Sequence, residues 1–359
     1  MKCKKRLLTL GLLAFVSLQS LAEPSISTLE ATRSEWSTYR FPLLEGESKA
    51  SEQINIYLHA FELDGLPGRF EQSPFERVWP QEDVGQGVVS LDYEIHAKTP
   101  GFLSLEIIGE YYGPYLSMGS KDYAFDLADG SPLSLSRLFS EQGLQYMRRR
   151  ISQARVERLE TFLAQLSANS ASADDVETVE IQRGMYEECL PRHRETNLDH
   201  NRLLLGPTQL TLVAGRCSAH AVRALDDLGE FSNSFAYTDF AQELSPYGRC
   251  LLLEQRSDCR NLSKPQISGV YRGAVNGRQR ITLVIAPPDA GGSSRAFYFR
   301  DEDASRVELS ARQEPDADRI LLRERNAKPA LFELRLDRDG QLSGTWQEKA
   351  GPQVPVELR

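Results

Sequence analysis

Three residues that could ligate a metal lie close together in the sequence. Cys189, His193 and His200 fall within the segment CLPRHRETNLDH. A thiolate and imidazoles are ligands that zinc accepts. Their spacing matches no familiar zinc finger, and the cysteine has other cysteines with which it can pair. The sequence therefore favours a structural disulfide beside surface histidines, and no metal site is predicted.

Two carboxylates, Glu106 and Glu110, lie four residues apart in one predicted strand and therefore on one face of a sheet. Carboxylate pairs cleave glycosidic bonds when they are held at a suitable separation. A solvated polar face explains them with fewer assumptions. The sequence contains no G-x-S-x-G nucleophile elbow, P-loop or dinucleotide glycine pattern. No catalytic residue and no cofactor are predicted.

A cluster of tyrosines is the best candidate for recognition. Tyr111, Tyr112 and Tyr115 lie in a glycine-rich stretch between two predicted strands. Tyrosines on such a loop provide a large contact area at low entropic cost, as protein and glycan interfaces require. They could equally cap the core of their own sheet. With Glu106 and Glu110, which would attract a basic protein, they form the predicted binding site.

The N-terminus has the pattern of a cleavable secretory signal. Four basic residues precede an apolar run from Leu7 to Val16, and small residues follow at Ser20 and Ala22. Residues 1–22 are therefore predicted to be removed. Cys3 precedes the apolar run, whereas a lipoprotein signal places its cysteine after that run. We expect a periplasmic protein whose mature chain has no transmembrane segment.

The charge of the mature chain is uneven. Residues 23–264 contain 23 basic and 37 acidic residues, whereas residues 265–359 contain 15 and 14. An acidic first module argues against nucleic acid and favours a cationic partner. Simple solubility also accounts for this acidity.

Four cysteines remain after the predicted cleavage, an even number in an oxidising compartment. Three pairings are possible. The short spacings favour Cys250 with Cys259 and Cys189 with Cys217.

Periodicity predicts the elements that position these residues. Residues 51–63 have helical spacing, and residues 88–98 and 102–112 alternate as a β-hairpin. A turn-rich loop at 113–120 leads to a strand at 122–127. A long amphipathic helix is predicted from an N-cap at Ser136 to about Leu166. A polar leader is expected before residue 51, a strand at 209–214, and a capped stretch at 237–244.

From Ser268 the pattern changes to eight short β runs separated by turn signals. Even spacing of this kind is typical of a small up-and-down antiparallel barrel or sandwich. The fold class is therefore an α+β domain over residues 23–264 followed by an all-β domain over residues 265–359. The boundary is placed near Lys264–Pro265.

The segment from Leu103 to Phe139 resembles the RsiV-like domain of exported bacterial proteins. The resemblance is carried by a Ser-Leu pair at the start of a strand, a Phe-Asp-Leu strand end, a turn glycine and a helix opening with Leu-Phe. The matching residues are Ser104, Leu105, Phe125, Asp126, Leu127, Gly130, Leu133, Leu135, Leu138 and Phe139. Residues 235–248 resemble the closing strand and helix of that family, so the match spans roughly residues 51–253.

The resemblance implies an α+β domain that either captures lysozyme or accompanies peptidoglycan-modifying enzymes. This chain lacks the membrane anchor of the first type and the deacetylase module of the second. The histidine-bearing loop of the family is here Gly113 to Ser117, without histidine.

These observations favour an exported, non-catalytic envelope protein that binds a lysozyme-like muralytic enzyme or cell-wall material. Two alternatives stay open. One is a hydrolase of peptidoglycan or glycan that uses an acidic pair not located in the sequence. The other is a periplasmic scaffold or assembly factor.

Overall fold

A computed structural model describes residues 24–81, 85–168, 173–260, 267–289, 291–313, 318–325, 329–349 and 351–359. The predicted signal peptide, residues 1–22, and the predicted boundary at Lys264–Pro265 lie outside the described residues. Among the helices in the described ranges, none is long and apolar enough to cross a membrane.

The first sheet has five strands in the order β1-β2-β3-β4-β5. Their bounds are Ile26–Ser34 (β1), Ser37–Leu44 (β2), Gly87–Lys98 (β3), Phe102–Tyr112 (β4) and Ser117–Asp126 (β5). Neighbours are antiparallel except β2 and β3, which are parallel. The predicted β3–β4 hairpin is confirmed. The expected loop at 113–120 is shorter, because β5 already begins at Ser117.

The predicted polar leader before residue 51 is wrong, because it forms β1 and β2. Tyr39 and Phe41 are fully buried on one face of β2, while Arg40 between them is exposed. This alternation marks a half-buried strand. The prediction failed because β1, which precedes this strand, is a polar edge strand that is largely open to solvent.

Helix α1 (Lys49–Glu62) lies between this sheet and the second domain. The Ser48 side chain accepts a hydrogen bond from the Ser51 amide, which caps the helix. Residues on every side of α1 are buried, among them Ile54, Ile56 and Leu58. An amphipathic helix covering a single sheet would keep one face in water, so α1 must be covered on two sides.

Three more helices follow: α2 (Leu135–Leu138), α3 (Glu141–Ala168) and α4 (Ala173–Arg194). The prediction of one helix capped by Ser136 is wrong. Phe139 has extended backbone, and the Ser140 side chain accepts a hydrogen bond from the Gly143 amide. α4 was not predicted, because its mean hydropathy is low and its apolar residues follow no clear stripe.

A three-stranded antiparallel sheet packs beside these helices. Its strands are β6 (Arg202–Leu205), β7 (Gln209–Ala214) and β8 (Phe231–Ala236), and 3-10 turns lie at Leu198–His200, His220–Leu225 and Tyr237–Phe240. A helical turn α5 (Pro246–Gly248) continues as a π-helical turn over Arg249–Leu253. The predicted strand at 209–214 is confirmed.

Both predicted disulfides are present. Cys189 on α4 pairs with Cys217, and Cys250 pairs with Cys259, with Cα–Cα distances of 5.5 and 5.7 Å. The first ties α4 to the loop that follows β7. The second ties the π-helical turn to the segment that leads toward the second domain.

The C-terminal strands close into an antiparallel barrel, as predicted. Within the described residues its strands are β9 (Gly269–Val275), β10 (Gln279–Ile285), β11 (Ser293–Arg300), β12 (Arg306–Gln313), β13 (Arg319–Glu324), β14 (Ala330–Leu336), β15 (Leu342–Glu348) and β16 (Val354–Leu358). Side chains such as Leu283, Ile320 and Phe332 fill its interior. An eight-stranded barrel is about wide enough for side chains to do so.

The barrel and the five-stranded sheet share one hydrophobic core. Val284, Phe297 and Phe299 on β10 and β11 belong to the same buried cluster as α1 and the sheet. The rings of Phe61 and Phe297 meet edge to face, with centroids 5.1 Å apart. The barrel is therefore the second cover of α1.

Phe297→Ala should lower the free energy of unfolding by about 3–5 kcal/mol, because it opens a cavity against α1. Urea titrations followed by fluorescence and by circular dichroism should both report one shared transition. Arg323→Ala, an exposed change on β13, should alter stability by less than about 0.5 kcal/mol. Two separate transitions in the unmodified protein would contradict a shared core.

His59 on α1 should make the fold sensitive to acid. Its ring is buried against Phe41 and hydrogen-bonded to the Asn55 carbonyl, and burial lowers its pKa to about 4. The stability gained from the neutral ring is present above pH 6.5 and is lost as the pH falls toward 4.

Between pH 7 and pH 5 this group should therefore lower the free energy of unfolding by about 2 kcal/mol. His59→Leu should remove this loss. Unfolding free energies of both proteins at the two pH values measure it. Burial also lowers the pKa of His193 to about 4, so the variant keeps some acid sensitivity. An equal loss in both proteins would contradict the assignment.

Candidate functional site

The two faces of β4 separate the predicted binding residues. Leu103, Leu105 and Ile107 belong to the core around α1, so odd-numbered residues of this strand face α1. Tyr111 follows the same alternation and is partly buried against that core. Its ring lies where a side chain on Gly109 would be, 2.8 Å from the position of a Cβ there. Tyr111 therefore packs on the core of its own sheet, the second role that the sequence left open for these tyrosines.

Tyr112 and Tyr115 lie at the exposed end of the β4–β5 hairpin. They are 50% and 71% exposed, and neighbouring Leu116 and Met118 are 54% and 71% exposed. The Tyr115 ring lies 5.5 Å from the ring of His220. Four large apolar side chains in water on one tip are unusual for a soluble surface and mark a candidate interaction site.

Trp36 lies at the same end of the sheet and is 79% exposed. It is in the turn between β1 and β2. Strands β2 and β3 run parallel, so both begin at this edge of the sheet. Gly87 at the start of β3 pairs with Tyr112 at the end of β4. The centres of the two turns are three strand spacings apart, which at about 4.8 Å per spacing is about 14 Å. We call Trp36, Tyr112, Tyr115, Leu116 and Met118 the apolar rim.

Carboxylates line the outer face of the same strands, the face turned away from α1. We call them the acidic face: Asp92, Glu94, Glu106, Glu110 and Asp122. Asp92 and Glu94 are exposed, whereas Glu106 and Asp122 lie deeper, beside β6. The structure thus places Glu106 and Glu110 on one face, as the sequence predicted, and adds Tyr112 to that face.

Arg202 at the start of β6 holds the buried end of the acidic face. Its guanidinium lies 2.9 Å from Glu106, 3.6 Å from Asp122 and 3.3 Å from Glu230. It also donates to the Ser120 hydroxyl. Glu106 and Asp122 are directly opposite in the β4–β5 ladder, where like charges repel. Arg202 offsets this repulsion and joins the three-stranded sheet to the five-stranded one.

Asp122 lies in an environment that disfavours its ionised form. Its side chain is 2% exposed, and burial raises its pKa to about 7; Arg202 lowers the pKa, while Glu106 and Glu230 raise it. Neither carboxylate oxygen has a hydrogen-bond partner. The sequence shows that Asp122 is acidic, but not that it is buried.

His96 joins the group through a β-bulge. Ile95 pairs with Leu105 and Ala97 with Ser104, so His96 is an extra residue in β3. A bulge redirects a side chain relative to the regular alternation. The His96 Nε2 atom lies 3.4 Å from a Glu106 oxygen and has no hydrogen-bond partner. Neither His96 nor Arg202 carries a signal in the sequence, because strand register and long-range packing bring them here.

Glu106 and Glu110 are not placed as a hydrolytic pair. Four residues along a strand separate them by about 14 Å, whereas glycosidases hold their carboxyl groups about 5–9.5 Å apart. Glu110 accepts a hydrogen bond from the Ser90 hydroxyl. Because they share a face, both contribute to the electrostatic field of that face. They are too far apart to act together on one substrate atom.

The Cys189 segment forms no zinc site, because Cys189 and Cys217 are joined in a disulfide. The expectation of surface histidines holds for His200 and is wrong for His193. The His193 ring packs on Phe231, with centroids 4.2 Å apart. Packing against a buried aromatic ring explains why this histidine leaves the surface.

No protein-family model and no curated protein matches the chain. Among solved structures, the chain is similar to a member of the DUF3298 family from Bacteroides fragilis. The two share 10% sequence identity with a TM-score of 0.41, and the match covers 65% of this chain and 98% of that one. A likeness this distant assigns no function.

Arg202→Gln should destabilise the fold at pH 8 by roughly 2–4 kcal/mol, because it leaves buried carboxylates without their counter-charge. Adding Asp122→Asn should recover part of that loss by removing one of the repelling charges. Urea denaturation of the single and double variants measures both effects.

Arg280→Gln is the control, since it removes an exposed ion pair with Asp301 that is worth at most about 1 kcal/mol. A loss for Arg202→Gln no larger than for this control would show that the buried network adds nothing to stability.

Proposed function

We propose that this chain is an exported, non-catalytic binding protein that captures a cationic protein, of the lysozyme-like muralytic class, on its acidic face and apolar rim. One observation carries the proposal. Exposed aromatic and apolar side chains lie directly beside a row of carboxylates, on a sheet that a shared core holds rigid.

The chemistry of the surface supports a basic protein as the partner. Tyrosine and tryptophan anchors supply most of the energy of many interfaces, and Trp36, Tyr112 and Tyr115 are already exposed. Glu110 and Glu94 on the same face would steer a cationic partner and raise its rate of association, whereas Asp92 is paired with Arg40. The excess of acidic residues over residues 23–264 extends this field around the site.

Export is supported by two independent features. The sequence begins with the pattern of a secretory signal. The four cysteines of residues 23–359 form two disulfides, which persist in oxidising compartments such as the periplasm. The resemblance to RsiV-like domains agrees with an envelope protein that recognises lysozyme.

Cell-wall material is a second candidate partner, since aromatic side chains also bind glycans. Peptidoglycan carries fewer positive charges than a muralytic enzyme, so the acidic face favours the enzyme. A hydrolase using Glu106 and Asp122 would predict turnover of peptidoglycan that Glu106→Gln abolishes. The guanidinium bound to Glu106 instead favours a structural role for that carboxylate.

Calorimetry of residues 23–359 with c-type and g-type lysozymes tests capture. Tyr112→Ala with Tyr115→Ala should weaken binding at least tenfold, because both anchors are lost. Glu94→Gln with Glu110→Gln should weaken binding less than the tyrosine changes do. It should also reduce the salt dependence of binding between 50 and 300 mM NaCl, because salt screens the charges that are removed.

Ile181→Ala is the matched control, because Ile181 is an exposed apolar residue on α4, outside the apolar rim. It should bind as the unmodified protein does. Absence of binding to any muralytic enzyme, or equal binding by the double tyrosine variant, would overturn the proposal.

A further inference from the structure

Three side chains of metal-ligand type converge at the buried end of the acidic face. His96, Glu106 and Asp122 each present one ligand atom, and these atoms all lie within 4.8 Å of one another. The His96 Nε2 atom is 3.4 Å from Glu106 Oε2. Ligand atoms around tetrahedral zinc are about 3.3 Å apart, given Zn–N and Zn–O bonds of about 2.0–2.1 Å. The His96–Glu106 distance therefore suits one ion, and the distances to the Asp122 ligand atom are at most 4.8 Å.

Two of these three side chains, His96 and Asp122, have buried atoms without a hydrogen-bond partner in the described part of the chain. Both Asp122 carboxylate oxygens and His96 Nε2 are buried without a hydrogen bond, and the Asp122 side chain is 2% exposed. Buried polar atoms in folded proteins are almost always paired. An imidazole nitrogen and a carboxylate that both lack partners and have ligand atoms within 4.8 Å of each other point to a ligand that binds between them.

Arg202 does not take the place of that ligand. It bonds to Oε1 of Glu106, the oxygen on the other side from His96, and its Nε is 3.6 Å from Asp122, which is beyond hydrogen-bond range. Glu106, Asp122 and Glu230 are three carboxylates beside this one guanidinium. A divalent cation would offset the negative charge that Arg202 leaves when these carboxylates are ionised.

We propose that His96, Glu106 and Asp122 bind a divalent metal ion of the zinc type. One imidazole nitrogen and two carboxylate oxygens form a donor set that zinc accepts, with a fourth position left for water. Arg202 donates a hydrogen bond to the other oxygen of Glu106 and so orients this carboxylate toward the ion. The bound ion cross-links β3, β4 and β5 beside β6, so it stabilises the acidic face independently of any captured protein.

The test uses residues 23–359, stripped with EDTA, dialysed and titrated with zinc sulfate by calorimetry. One equivalent of zinc per chain should bind and should raise the thermal unfolding temperature. His96→Gln and Asp122→Asn should each reduce affinity at least tenfold and remove the thermal shift. Glu180→Gln is the control and should bind zinc as the unmodified protein does, because Glu180 is exposed on α4, outside the acidic face.

No uptake of zinc by the stripped protein, or equal uptake by His96→Gln, would overturn the proposal. Circular dichroism first establishes that each variant is folded, and His96→Gln decides alone if Asp122→Asn does not fold. Lysozyme binding plays no part in this readout. Failure of the metal site and failure of capture are therefore separate results.

Discussion

The burial of α1 on two sides is the constraint on which the rest of the structure depends. A helix with apolar residues on all sides cannot be stable against one sheet alone, since one face would remain in water. The five-stranded sheet covers it through Leu105 and Ile107, and the barrel covers it through Phe297 and Phe299. The barrel is therefore part of the hydrophobic core of the first domain. This arrangement commits one face of the sheet to packing and leaves only the opposite face available for recognition.

The opposite face of the sheet is stabilised by charged contacts, whereas the face toward α1 is stabilised by apolar packing. Opposed carboxylates at Glu106 and Asp122 repel each other, and the single guanidinium of Arg202 reaches them from another sheet. Buried ion pairs add little net stability compared with apolar packing, but they cost much when one partner is removed. The network therefore fixes how the three-stranded sheet sits against the acidic face more than it stabilises the chain. Farther from this network, Asp92 is paired with Arg40, and Glu94 is exposed on the same face.

Sequence patterns over a few residues predicted those elements that interactions between nearby residues determine. The barrel strands and the β3–β4 hairpin follow from alternation and turn residues, and both disulfides follow from short spacing. The break at Phe139 and the strands before residue 51 were missed, because tertiary packing there outweighs helix and strand propensity. The site was predicted in part for the same reason. Alternation places Glu106, Glu110 and Tyr112 on one face, whereas His96 reaches it only through a bulge.

The tyrosines show how one sequence feature divides between two physical roles. Tyr111 and Tyr112 are adjacent, so strand alternation turns them to opposite faces. The first fills the space above Gly109 and stiffens the hairpin from the α1 side, whereas the second stays half exposed at the tip. A hairpin braced from one face can present apolar side chains on its tip without collapsing onto them, which lowers the entropic cost of binding. The rigidity of the core and the exposure of the apolar rim are thus two consequences of the same strand.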